Sequence, residues 1–119
     1  MDQHDYDILL NAFDDFEDIF TIFQSLDATE EVECHSTIDL VNERLEYLAQ
    51  NAGLKIAVSD TCYGEMTFIE MRSFSKAEIV NDTGKLAGPP FYYVHLPYSA
   101  ESMEFLNYLH HILSGKAPN

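Results

Sequence analysis

The sequence predicts an α+β domain: N-terminal acidic helices packed with a small, mainly antiparallel sheet of about three strands and a C-terminal helix. Three observations carry this expectation. Apolar residues recur every three or four positions through the segment ending at Asn51, which is helical periodicity. Between Leu54 and Leu96 the pattern changes to short alternating runs, β-branched and aromatic, punctuated by glycine and proline. A last helical stretch follows Ser99. The order helix, helix, strand, strand, loop, strand, helix belongs to α+β rather than to an alternating α/β chain.

The first element is read as one amphipathic helix from Asp5 to Leu26. Tyr6, Leu9, Leu10, Phe13, Phe16, Phe20 and Phe23 fall on one face, and Asp7, Asp14, Asp15 and Asp18 on the opposite one. Asp27 and Glu30 have the spacing of a capping box, with Asp in the place of Ser or Thr, so another helix is expected to start there. Glu31 to Ser36 also alternates weakly like a strand, and both readings stay open. A second helix is expected from Thr37 to Asn51, capped by Ser36 or Thr37. Ile38, Val41, Leu45 and Leu48 would line its buried face, Asp39, Glu43 and Glu46 another face, and Gly53 would end it in the left-handed conformation. Leu54–Val58 alternates as a strand, Asp60–Gly64 reads as a turn, and Met66–Arg72 as a paired strand. Ser73–Val80 has room for a short helix. Asn81–Pro90, with Gly84, Gly88, Pro89 and Pro90, is a loop. Phe91–Leu96 is the third strand. Ser99 caps the final helix, which runs to about Leu113 and stops at Gly115.

At 119 residues the chain fits a single domain, 1–119. An apolar fraction of 46%, with eight Phe and seven Tyr, is enough for a core without metal or disulfide staples. No apolar stretch approaches the ~18 residues of a membrane span, and an anionic bilayer surface would repel the chain. The N-terminus is acidic where a signal peptide is basic, so a cytoplasmic protein is expected. Cys34 and Cys62 form no C-x-x-C pair and are expected to be buried free thiols.

Charge is the feature that bears on function. The chain holds 21 Asp and Glu against 6 Lys and Arg, a formal net charge of −15. That exceeds the magnitude of roughly 2–8 that serves solubility in a small domain. The excess is localised: residues 1–43 carry 13 acidic side chains and no Lys or Arg. Such a segment forgoes the Glu–Lys pairs that stabilise ordinary helices, and Asp is a poor residue for a helix interior. Carboxylates three and four residues apart lie about 5–6 Å from each other along a helix. Each strand of duplex DNA presents a phosphate every ~3.4 Å of axis. A ridge of carboxylates can therefore occupy a groove lined with Lys and Arg. The residues expected to bind a basic partner are Asp7, Asp14, Asp15, Glu17, Asp18, Glu30, Glu31, Glu33, Asp39, Glu43 and Glu46.

Other chemistries find no support in the spacing. His4, His35, His95, His110 and His111 form no metal motif; neighbours 110 and 111 point about 100° apart on a helix. Asp2, Asp5 and Asp7 do not make a calcium loop. Gly84–Gly88 is not a phosphate-binding loop, and no G-x-S-x-G elbow is present. No catalytic residue, cofactor or metal is expected, and direct binding to nucleic acid is excluded by the charge. Phe91, Tyr92 and Tyr93 read as a strand with one face in the core; Tyr92 or Tyr98, if exposed, could anchor an interface.

The leading expectation is an acidic mimic of nucleic acid, a monomer that blocks the DNA- or RNA-binding surface of a basic protein such as a histone-like protein, nuclease or defence effector. In size and charge the chain is similar to the acidic DNA-mimic proteins of bacteria and phages; no family motif aligns, so no family residues carry over. The alternative is an immunity protein or antitoxin for a basic nuclease toxin, which would rely on a few Tyr or Phe anchors inside an acidic rim. A third possibility is a housekeeping domain or enzyme with a pocket around Cys62, Tyr63, His95 and Tyr98.

Overall fold

The computed structural model describes residues 1–28 and 36–115. Among the described residues, five helices pack with a four-stranded sheet in an α+β architecture, the helices lying on one side of it. The helices are α1 (Gln3–Ala12), α2 (Ile19–Asp27), α3 (Thr37–Ala52), α4 (Lys76–Ile79) and α5 (Ala100–Leu113). The strands are β1 (Glu17–Asp18), β2 (Lys55–Ser59), β3 (Thr67–Ile69) and β4 (Phe91–His95), in the order β1-β4-β2-β3 with every pair antiparallel. The strand count is four rather than three because β1 lies within the segment expected to be helical.

That segment is the main correction. The expected helix from Asp5 to Leu26 is two helices with a turn and a two-residue strand between them. Asp2 caps α1 through a reciprocal box: its carboxylate accepts the Asp5 N–H, and the Asp5 carboxylate accepts the Asp2 N–H, both at 3.0 Å. The helix stops at Phe13, and Asp14 takes a left-handed conformation with φ 51°. Asp and Asn are the non-glycine residues that visit this region most readily. The end of β4 secures the turn: Leu96 N–H donates to Ala12 O, and Asp14 N–H donates to Leu96 O, both at 2.9 Å. Asp15 Oδ1 accepts the Phe16 N–H at 2.8 Å. Asp18 then caps α2, accepting the Phe20 N–H at 2.9 Å. Asp14, Asp15 and Asp18 therefore occupy the positions that aspartate favours in turns and caps, and none lies inside a helix. Leu10, expected on the buried face, is 47% exposed.

Asp27 does not begin a helix. It is the last residue of α2, and its Oδ1 accepts the Thr37 hydroxyl at 2.7 Å. Glu30 and the alternative strand over 31–35 lie outside the described residues. Ser36 caps α3 by accepting the Asp39 N–H, and Gly53 ends it at φ 75°, as the spacing predicts. Ser99 caps α5 by accepting the Ser102 N–H at 3.0 Å.

The core lies between the helices and the sheet face bearing Ile56 and Val94. Leu9, Ile19, Val41, Leu45 and Leu48 meet these residues there, each with no exposed surface. Each side chain of this size contributes about 1.5–3 kcal/mol when fully buried. The Asn42 amide fastens α3 to the segment after β3, donating to Phe74 O at 2.9 Å and accepting the Phe74 N–H at 2.8 Å. The last helix, α5, packs along α1, with Tyr6 near His110 and Phe13 near Tyr98. Among the described residues no helix is long and apolar enough to cross a membrane.

Candidate protein-interaction surface

The acidic residues separate into two sets once the chain is folded. The first set works within the protein. The Arg44 guanidinium reaches from α3 to Asp2 Oδ2 at 2.7 Å and to Asp5 Oδ2 at 3.0 Å. Burial alone would raise the Asp2 carboxyl; the Asp5 N–H and Arg44 outweigh it and hold Asp2 below its ordinary value. Asp18, expected on a solvent-facing ridge, is only 8% exposed. Burial raises its carboxyl, against the hydrogen bond from Phe20 that would lower it. It is therefore a cap, not part of an accessible ridge.

The second set faces solvent. Asp39, Glu43 and Glu46 are exposed along one face of α3, four and three residues apart. Asp7, Asp14 and Asp15 are exposed at α1 and the turn that follows it. Glu17 points from β1 into a cleft of ≈ 200 Å³ between α1 and α2, lined also by His4, Asp7, Asn11 and Thr21. Burial raises the Glu17 carboxyl, and Asp18 and Asp15 beside it raise it further. The structure thus brings Asp7, Asp15, Glu17 and Asp18 into one neighbourhood and leaves Asp39, Glu43 and Glu46 as a separate row. Glu30, Glu31 and Glu33 lie outside the described residues. Three carboxylates among the described residues are ion-paired, Asp2 and Asp5 with Arg44 and Glu78 with Arg72.

The other face of the sheet carries a group of aromatic side chains. Strand register puts Asp18, Tyr93, Ala57 and Phe68 in one row across β1, β4, β2 and β3, with Lys55 and His95 as the neighbouring pair. Ala57 and Tyr93 are fully buried yet lie outside the helix-side core. Aromatic rings and the loop after β2 cover them instead. Phe16 stacks on His95 with centroids 4.7 Å apart, and Phe68 lies 6.0 Å from Phe16 and 5.4 Å from His95. His95 Nδ1 donates to Asp15 O at 2.7 Å, which fixes the imidazole beneath Phe16. Tyr63 sits 4.9 Å from the Tyr93 ring, and its N–H donates to the Tyr93 hydroxyl at 2.8 Å. Burial, then the carboxylates of Asp18 and Glu17, raise the Tyr63 phenol. Phe68 and Tyr63 remain 52% and 58% exposed.

Cys62, expected to be buried, is an exposed free thiol in the turn at Asp60–Gly64. Cys34 lies outside the described residues. The residues considered as a pocket engage separate partners: Tyr63 meets Tyr93, His95 meets Phe16 and Phe68, and Tyr98 meets Phe13. Among the described residues no three His, Cys, Asp or Glu side chains are arranged to hold a metal ion.

Phe16 and Phe68 are the residues that sequence reasoning missed. Phe16 was hidden because its spacing to Phe13, Phe20 and Phe23 continues a helical stripe that the folded chain interrupts. Alternation held the signal for Phe68: it has the opposite parity to Ile69, so it must leave the face on which Ile69 meets the core. No family model, no curated protein and no solved structure matches this chain.

Proposed function

We propose that this protein is an acidic nucleic-acid mimic that binds the nucleic-acid-binding surface of a basic protein and blocks it, without catalysing a reaction. The observation that carries the reading is the unneutralised surplus of carboxylate. Arg44 and Arg72 are engaged by Asp2, Asp5 and Glu78. Asp7, Asp14, Asp15, Asp39, Glu43 and Glu46 stay exposed, with no ion-pair partner among the described residues. Like charges along one helix face cost stability. Their field would accelerate encounter with a cationic surface, and water-exposed carboxylates are free to meet Lys and Arg. The exposed thiol of Cys62 suits a reducing compartment, and the reading takes the cytoplasm as the site of action.

The test is a pull-down from lysate with the tagged protein, eluted with rising salt, followed by displacement with duplex DNA. Recovery of a nucleic-acid-binding protein that DNA competes away supports mimicry. Recovery of unspecific basic proteins that elute at low salt overturns it. The immunity-protein reading has one observation in its favour, the exposed aromatic rings of Tyr63 and Phe68, with half-buried Phe16 beside Phe68, near carboxylates. It predicts one partner, held with little dependence on salt once the anchors are buried.

A further inference from the structure

We infer that the open face of the sheet, centred on Phe16, Tyr63 and Phe68, is the docking face for a basic protein and receives an arginine side chain from it. This rests on the charge-driven reading above and adds the place and the side-chain chemistry. The platform is stiff. Beneath the exposed rings lie Ala57 and Tyr93 with no exposed surface, and the Phe16–His95 stack is held by the Asp15 carbonyl. Tyr63 is presented from a left-handed backbone, φ 53°, where a residue with a Cβ costs roughly 1–2 kcal/mol and glycine costs nothing. At this position the ring offsets part of that cost through its contact with Tyr93 and presents its other side to solvent.

The charge around the rings selects the occupant. Asp15, Glu17 and Asp18 act electrostatically on Tyr63, and Asp60 and Glu65 flank it on the same loop. Lys55 is the one cation in the strand rows of this face among the described residues. Two copies of the chain would oppose these carboxylates to each other, so a second copy is disfavoured and a cationic partner is favoured. Arginine fits better than lysine because its planar guanidinium stacks on a ring while its N–H groups reach a carboxylate. The helix side of the sheet already holds this arrangement. Arg72 lies 4.7 Å from the Phe74 ring and 5.5 Å from the Tyr92 ring while donating to Glu78 at 2.6 Å. The open face offers aromatic rings and carboxylates in the same combination, with no guanidinium among the described residues to fill it.

Titration of the isotopically labelled full chain with hexa-arginine and with hexalysine at low salt tests this by amide chemical shifts. Hexa-arginine should bind roughly five-fold more tightly, the gain of a cation–π contact at an exposed site. Its shifts should cluster at Phe16, Tyr63, Phe68 and His95. Phe68→Ser and Tyr63→Asn should bring the two affinities together by weakening hexa-arginine more than hexalysine, with a modest fall in melting temperature because both rings are half-buried; asparagine tolerates the left-handed backbone. If a variant fails to fold, the shift map of the unaltered chain decides. Equal affinities, or shifts that cluster on the Asp39–Glu43–Glu46 row, overturn the inference and leave the acidic reading standing. A concentration-dependent dimer dispersed by Phe68→Ser assigns the face to a second copy and also overturns it. If neither peptide binds at low salt, both the inference and the charge-driven reading fall.

Discussion

Replacing Arg44 by methionine should destabilise the protein more than any other single change to its basic residues. The Asp5 carboxylate is 1% exposed. Its Oδ2 accepts from the Asp2 N–H and from Arg44 Nη1, each at 3.0 Å, and Oδ1 has no partner. Methionine keeps most of the side-chain volume and the contacts of the stem but removes the charge. Asp5 is then buried with one backbone donor, and Asp2 loses the guanidinium at 2.7 Å. Removing one partner of a buried ion pair costs about 3–5 kcal/mol. Arg44 retains 27% exposure, so water can reach part of the site, and a loss of about 2–4 kcal/mol is expected. For a domain of this length that lowers the melting temperature by roughly 10 °C. Urea denaturation at neutral pH measures it, with Asp5→Asn/Arg44→Met as the control. The double variant has no buried charge and should recover at least half of the loss. A loss below about 1 kcal/mol, or a double variant no more stable than Arg44→Met, would refute the claim that Arg44 compensates a buried Asp5.

Further outcomes follow from the same geometry. Glu17 and Asp18 have carboxyls raised in the fold by burial, so the native state holds their protons at a pH where the unfolded chain has released them. Their contribution is full below the ordinary carboxylate values and is lost as pH rises through the raised folded values. Asp2 and Glu78 are lowered, so their contribution is lost only as pH falls through values below the ordinary range. Melting temperature should therefore peak in mildly acidic buffer, and Glu17→Gln/Asp18→Asn should flatten the decline toward neutral pH while keeping the cap at Phe20; an unchanged slope would exclude these two groups as its source. Reversing Asp39, Glu43 and Glu46 to Lys should leave the fold intact, since all three are exposed, and should slow encounter with the basic partner at low salt through the weakened field without moving the docking face; loss of capture that persists at high salt would place the α3 row in the interface instead. Gly64→Ala places a Cβ 1.9 Å from Thr61 Oγ1, so Thr61 must turn away and the Tyr63 loop must shift, at about 1 kcal/mol by thermal melt.

Where one period ran uninterrupted, the sequence was legible. The face of α3 carrying Val41, Leu45 and Leu48, its Ser36 cap and its Gly53 terminus agree with the structure because each follows from local rules that tertiary contacts do not override. The alternation through β2 and β4 agrees for the same reason. The first segment was misread because Phe13, Phe16, Phe20 and Phe23 keep helical spacing across a break. What breaks it is a contact distant in sequence, Leu96 bonding to both Ala12 and Asp14. A local sign existed: Asp14, Asp15 and Asp18 are turn and cap residues, and treating them only as charge concealed it. The aromatic face was illegible because it depends on which side of the sheet the helices cover, and that is settled by packing rather than by any one strand.

This matters for how the charge is interpreted. An Asp-rich helix interior would have required an explanation outside the fold. Asp2, Asp5, Asp15, Asp18 and Asp27 instead bond to the chain itself, at a cap, an ion pair, a turn, a second cap and a tie to α3. Local structure accounts for the choice of aspartate at those positions. The carboxylates that structure leaves unexplained are fewer, with Glu17, Asp39, Glu43 and Glu46 foremost. Glu17 is the most informative of them. A glutamine there would fill the same cleft without the cost of a half-buried charge set beside Asp15 and Asp18. A carboxyl at that position serves the proposed contact with a cation, which solubility alone does not call for.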